Sequence, residues 1–349
     1  MKNYPKPNEV GPVSSKKGFA IFPYFEVLTE TFEKSAIRSF GNYFRDHSGV
    51  AKWMVYSDYI IGDKNKKSDV IAFTFVPYLS GLSEFKRELD SQSFKDIKHL
   101  RRVNAGFLDL VRKSPTLSIA VMLNNDRRIA YAGSEKDALL RAFDGLGEMI
   151  QDWQSNEPEA PERYLSLGKD IAYIRREFAK NKLNVRLIRD IYIVASIAAY
   201  LMFEAAKIVD VEIMGWFSDR DDMLNYKSAQ LGTPAIFTLA HILYHVFCEQ
   251  KGIDSRNNPI FGIPEKEGKV WYDEILRIPD VICATLADLD FKTQEFSHVK
   301  FGSILDGLFV SNEKIVTLEL KLLKEACTAV RRTFDRDNAG SSSATTAVE

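Results

Sequence analysis

At 349 residues, with 45% hydrophobic and 12% aromatic content, the chain is long enough to bury a large core in one elaborated domain or two. Lys and Arg total 47 against 48 Asp and Glu, and a net charge of -1 excludes any global attraction to nucleic acid or to an anionic membrane, leaving only local patches. The 3 cysteines, Cys248, Cys283 and Cys327, are spaced too widely for a zinc knuckle and read as reduced core thiols in apolar helical contexts.

Residues 1–18 lack the apolar stretch of a signal peptide and are expected to form a mobile arm. In a helical extension over 19–49, Phe25, Leu28, Phe32, Ile37, Phe40 and Phe44 recur at helical spacing. KWMVYSDYII (52–61) and DVIAFTFVPYL (69–79) are rich in β-branched and aromatic residues around the turn-forming GDKNKKS, which predicts a β-hairpin. Residues 83–113 read as helical and locally basic at KHLRR, and TLSIAVMLN (116–124) reads as a third strand.

Helical character dominates 136–153, and the two prolines of NEPEAPE (156–162) mark a linker. The segment 167–209 is helical again. Its apolar run IYIVASIAAYLMF has 13 residues, short of the roughly 20 that span a bilayer, so a buried helix, no membrane contact and a cytoplasmic location are expected. VEIMGWF then reads as a short strand ending in SDRDD. TPAIFTLAHILYHVFCEQKG predicts a helix stopped by Gly252. KVWYDEILRIPDVICATLADLD predicts a short strand or edge and then a helix, with Pro279 near the helix start. An amphipathic helix over 311–335 and a disordered tail over 336–349 complete the reading. Strands separated by long helical stretches argue for an α/β protein, a mixed sheet flanked by helices. The main domain is expected over 50–310, with a large helical insertion at about 125–209.

Three acidic positions fall where chemistry could use them. Asp58 interrupts the apolar first strand, Asp219 ends a later strand with Asp221 and Asp222 close behind, and Asp288 lies on a helix whose other face is apolar. If the two strands are neighbours, Asp58 and Asp219 converge at one edge. Clustered carboxylates repel one another, and a divalent cation removes that repulsion. Mg²⁺ or Mn²⁺ would take their hard oxygens, and a pair of such ions can serve in-line phosphodiester hydrolysis. The bland alternative is a charged loop that happens to follow a strand. Asp280, just after Pro279, is read as a first-turn acid placed by the helix dipole, which favours Asp288 for the site.

The order of an Asp in a hairpin's first strand, a later strand ending in Asp, and a late helix with an Ala-Asp pair resembles the RNase H-like superfamily. Within it, the chain resembles an uncharacterised bacterial family with an Asp-Glu-Ser-Gly first strand and a Gln-Leu-Ala-Asp-like final helix. The matching stretches are Ser57-Asp58-Tyr59, Ser218-Asp219-Arg220 and Leu286-Ala287-Asp288, and the resemblance spans roughly residues 50–295. It implies an RNase H-like sheet and a metal-dependent nuclease acting through Asp58, Asp219 and Asp288, with Asp221 and Asp222 as reserve ligands. A role in mobile-element or phage defence is an analogy only. The chain lacks the Glu and Ser after Asp58, which keeps open a catalytically inactive binding or regulatory subunit with a protein partner or a second copy of itself.

A nucleic-acid substrate requires local cations. Arg101, Arg102, Arg175, Arg176 and Arg220 are the candidates, against the default of solvated helix faces. His241 and His245 have metal-binding spacing, but no glutamate stands between them to act as a base, and satisfied imidazoles on a helix are the simpler reading. The chain has no GxSxG, P-loop or GxGxxG in a strand-to-helix context.

Overall fold

The computed structural model describes residues 22–92, 97–130, 134–156, 161–180, 184–226, 231, 233–253, 259–265, 268–323, 326–336 and 342–346. In chain order the elements are α1 (Pro23–Ser35), α2 (Ile37–Asp46), β1 (Lys52–Ile60), β2 (Asp69–Pro77), α3 (Leu82–Gln92), α4 (Ala105–Lys113) and β3 (Leu117–Leu123). There follow α5 (Glu135–Asn156), α6 (Pro161–Ala179), α7 (Val185–Ile208), β4 (Ile213–Ser218), α8 (Asp222–Asn225), α9 (Ala235–Gln250) and β5 (Pro259–Gly262). The chain ends with α10 (Asp273–Asp288), α11 (Val299–Ile304), β6 (Ile315–Leu322), β7 (Cys327–Arg336) and β8 (Ser342–Thr346).

The fold class is α/β, and the described residues divide into two compact units. The sheet unit comprises Val27–Arg127, Val211–Asp219 and the chain from Ile260 onward. Its strands lie in the order β5-β4-β1-β2-β3-β6-β7-β8. β1 pairs antiparallel with β2 and parallel with β4, and β3 pairs parallel with β6, so the sheet is mixed. Side chains alternate across a strand, and each face of this sheet has its own cover. On one face Trp53 and Phe75 meet Phe44 of α2, with ring centroids 4.6 and 5.5 Å away. On the other face Met54, Tyr56, Val70 and Ala72 pack against α10 residues including Val281, Ile282 and Leu286. β2 is buried at every position, as befits a central strand covered on both sides.

The helical unit comprises Arg128–Asp210, Arg220–Pro259 and the start of α1 up to Glu26. α7 begins where the Asn184 side chain accepts from the Leu187 amide at 3.2 Å, an N-cap that satisfies one orphan donor. α7 has 24 residues and is long and apolar enough to cross a membrane, but 89% of its apolar window is buried. Its charged start is neutralised locally. Arg189 pairs with Asp190 at 3.0 Å and approaches Glu135 at 3.7 Å, and the Glu135 carboxylate also accepts from the Ile129 amide at 3.1 Å.

Several expectations need correction. Residues 311–335 do not form a helix. β6 and β7 form a hairpin within the sheet, which therefore does not end at 310, and Cys327 lies on β7. In β6, Val316, Leu318, Leu320 and Leu322 are buried while Glu319 and Lys321 are more open, a period-2 pattern that pairing with β3 turns into a strand. Residues 342–346 of the expected disordered tail pair with β7 as β8, and 337–341 and 347–349 lie outside the described residues. The helical insertion is wider than 125–209: a second segment, 220–259, follows β4. The helical stretch 167–209 is two helices, α6 and α7. The short strand expected near 269 is instead Pro259–Gly262, and Pro279 lies inside α10 rather than near its start. The arm at 1–18 and most of the linker at 156–162 lie outside the described residues.

Candidate carboxylate site

Parallel pairing of β1 with β4 places the first two carboxylates. The last paired residues are Ser57 and Ser218, and the Asp219 amide donates to the Ser57 carbonyl at 3.3 Å. Asp58 and Asp219 are thus the next step along neighbouring strands, whose backbones run about 5 Å apart, at the carboxyl ends where open α/β sheets place ligands. Tyr56 and Phe217, two residues earlier on each strand, are in register, and their rings stack at 5.5 Å on the face covered by α10. Alternation carries Asp58 and Asp219 to that same face. Asp58 is half-buried and Asp219 is exposed.

α10 carries a further acid, Asp280, whose carboxylate lies 3.9 Å from Arg277. The Cys283 thiol donates to the Asp58 carbonyl oxygen at 3.1 Å, which fixes this part of the helix over the end of β1. Burial pushes the Cys283 thiol well above its ordinary value, and the nearby charges of Asp58 and Asp280 push it further. Asp280 is one turn before Cys283 and so shares its side of the helix. Its reading as a first-turn acid fails, because α10 begins at Asp273 and Asp280 is in its third turn. The i, i+3 relation to a cysteine on an apolar helix face was the signal that could have marked it.

Asp288 has a different environment. Its carboxylate accepts from Lys66 Nζ at 3.0 Å, from the Ser297 amide at 2.8 Å and from Ser297 Oγ at 2.7 Å. Burial acts to raise its pKa, but the bonds from Ser297 and Lys66 outweigh burial and hold the group below the usual carboxylate range. Asp288 thereby ties the end of α10 to the β1–β2 turn. A depressed folded-state pKa stabilises above the unfolded carboxylate range and is lost as pH falls through the folded value. Asp288→Asn is therefore expected to cost about 1–3 kcal/mol at neutral pH. In urea unfolding, the gap to wild type should close as pH drops below about 4.

The acidic run after β4 is divided. Asp221 caps α8, its side chain accepting from the Leu224 amide at 2.8 Å, and Asp222 is exposed in the first turn of that helix. Both belong to the helical unit, whereas Asp58, Asp219, Asp280 and Asp288 belong to the sheet unit.

The candidate cations are also dispersed. Arg101 and Arg102 are exposed in the sheet unit, just beyond a turn that buried Lys300 pins by donating to the carbonyls of Ile97 at 2.7 Å and Leu100 at 3.1 Å. In the helical unit Arg175 is paired with Asp144 at 2.7 Å, Arg176 lies 5.3 Å from the Tyr173 ring centre, and Arg220 is exposed. His241 and His245 are half-buried on α9 with ring centres 4.4 Å apart. Among the described residues, no group of three or more His, Cys, Asp or Glu side chains is gathered to hold a metal ion. Comparisons with family models, with curated proteins and with solved structures each return no match to the chain.

Proposed function

We propose that the protein is an RNase H-like, Mg²⁺- or Mn²⁺-dependent phosphodiester hydrolase acting on nucleic acid. The observation that carries this reading is the placement of Asp58 and Asp219 side by side at the carboxyl ends of two parallel strands. Two adjacent carboxylates suit a hard divalent ion that takes one or two protein ligands and completes its shell with water and phosphate oxygens. Asp58 and Asp219 would hold it, with Asp280 replacing Asp288 as the acid contributed by α10. Asp288 fits poorly, because Lys66 and Ser297 already occupy its oxygens. Asp221 fits poorly because it caps a helix. When bound, the ion would acidify a water and neutralise charge on the phosphoryl group. The chain's own part is to fix the oxygen donors on a rigid sheet edge and to offer Arg101 and Arg102 to the phosphate backbone.

Calorimetric titration with Mn²⁺ tests the reading. Saturable binding that Asp58→Asn and Asp219→Asn abolish and Asp288→Asn leaves intact supports it, and no binding at millimolar Mn²⁺ overturns it. A second reading is a noncatalytic binding subunit on the same sheet. It is favoured by Tyr59 and Ile60 standing where the resembled family has Glu and Ser, and by the lack of a gathered three-ligand group among the described residues.

A further inference from the structure

Of the 4 tryptophans, Trp53, Trp153 and Trp216 are buried, whereas Trp271 is 56% exposed. A single exposed apolar side chain is ordinary, but this ring is held in place. Phe217 meets it edge-on at 5.1 Å, Tyr272 does so at 5.3 Å, and Lys86 Nζ lies 5.1 Å from its centre. Lys86 also donates to the Trp271 carbonyl and is drawn toward Glu274 at 3.8 Å, so backbone and ring are clamped together. Phe217 is itself wedged: a Cβ on Gly215 would come within 2.8 Å of its ring. A continuous set of rings, Tyr56, Phe217 and Trp271, therefore runs from the middle of the sheet to solvent.

The place of this ring matters. Phe217 on β4 is two residues before Asp219, which directly follows the strand, about 7 Å away along the backbone. An exposed, preorganised indole thus lies against the strand that leads to Asp219, with the Lys86 ammonium over its ring. An aromatic base joined to a phosphodiester matches that combination. We infer that Trp271 is a stacking platform for one base of a single-stranded nucleic acid, positioning the adjoining phosphodiester toward Asp58 and Asp219. The inference rests on the hydrolase reading and extends it to a substrate class. A single strand is required because the bases of a duplex are already stacked on one another, whereas an unpaired base offers its face to an aromatic side chain.

Trp271 is the one exposed indole of the four, so the difference in emission between wild type and Trp271→Ala isolates its signal, and the anisotropy of an end-labelled strand reads affinity in every variant. A single-stranded oligonucleotide of about 12 nucleotides, within the usual site size, is titrated in EDTA so that nothing is cleaved. Quenching of tryptophan emission is expected. Trp271→Ala should remove the quenching and weaken binding about ten- to hundredfold, the scale of one base–aromatic stack, and Trp271→Tyr should restore most of the affinity. Unchanged affinity in Trp271→Ala overturns the platform, as does equal quenching by the duplex of the same sequence. It is also overturned if Trp271→Ala alters only self-association of the protein and not oligonucleotide binding. Failure of the hydrolase reading is seen separately, as persistent quenching with no strand cleavage in Mn²⁺.

Discussion

Asp58→Asn is expected to lower the proposed phosphodiester hydrolysis by more than about hundredfold, since even an outer partner of a metal ligand typically costs ten- to hundredfold. The substitution keeps the shape of the side chain and removes its charge. Asp58 is half-buried at the end of β1, and its backbone carbonyl, not its carboxylate, receives the Cys283 thiol. Stability should therefore change by less than about 1 kcal/mol, because an isosteric side chain fills the same half-buried place. Asp288→Asn should show the reverse pattern, with hydrolysis within a few-fold of wild type and a lowered unfolding midpoint. Paired measurement of cleavage of a single-stranded oligonucleotide in Mn²⁺ and of urea unfolding checks both. Equal loss of activity in the two variants would return the metal-ligand role to Asp288 and refute the assignment of Asp280.

The largest stability effect is expected at Arg127. Its side chain is 1% exposed and that of its partner Asp69 is 2% exposed, so the ion pair is shut away from water. Asp69 opens β2 and accepts from the Gly62 amide at 2.8 Å on its second oxygen, and Arg127 also donates to the Asn124 carbonyl at 3.2 Å. The pair thus joins the β1–β2 turn to the segment after β3. Arg127→Met leaves a buried carboxylate uncompensated and should cost about 3–5 kcal/mol, a large share of the roughly 5–15 kcal/mol that stabilises a typical domain. Combining it with Asp69→Leu removes the stranded charge, and the double variant should recover most of the loss. Denaturant unfolding of the single and double variants measures this. Additive costs would mean that the geometry of the pair, rather than its charge, holds the turn.

The central sheet was legible because its signals are local. Aromatic and β-branched runs on both sides of GDKNKKS specify β1 and β2, and the continuous apolar run of β3 specifies a buried strand. The adjacency of Asp58 and Asp219 could be posed only as a condition, since nothing in either stretch states that β1 and β4 pair. The C-terminal hairpin was hidden by its composition. LKLLKEACTAV is rich in good helix formers, and strand identity there comes from pairing with β3, which is tertiary. Asp280 was misplaced for a related reason. Pro279 reads as a helix-starting residue, whereas α10 begins two turns earlier and tolerates the proline inside it. The engagement of Asp288 by Lys66 and Ser297 depends on three separate segments meeting, and no spacing rule anticipates it.

The chain leaves the sheet after β3, builds helices, returns for the six residues of β4, and leaves again. Asp58 and Asp219 are consequently about 160 positions apart in a pairing whose loop-closure cost falls on the assembly step. During synthesis the hairpin carrying Asp58 can finish long before the ribosome releases the strand that supplies its companion, and α10 emerges later still. A nascent or prematurely terminated chain would carry Asp58 without Asp219 or Asp280, so the carboxylates proposed to hold the metal could meet only after α10 has left the ribosome.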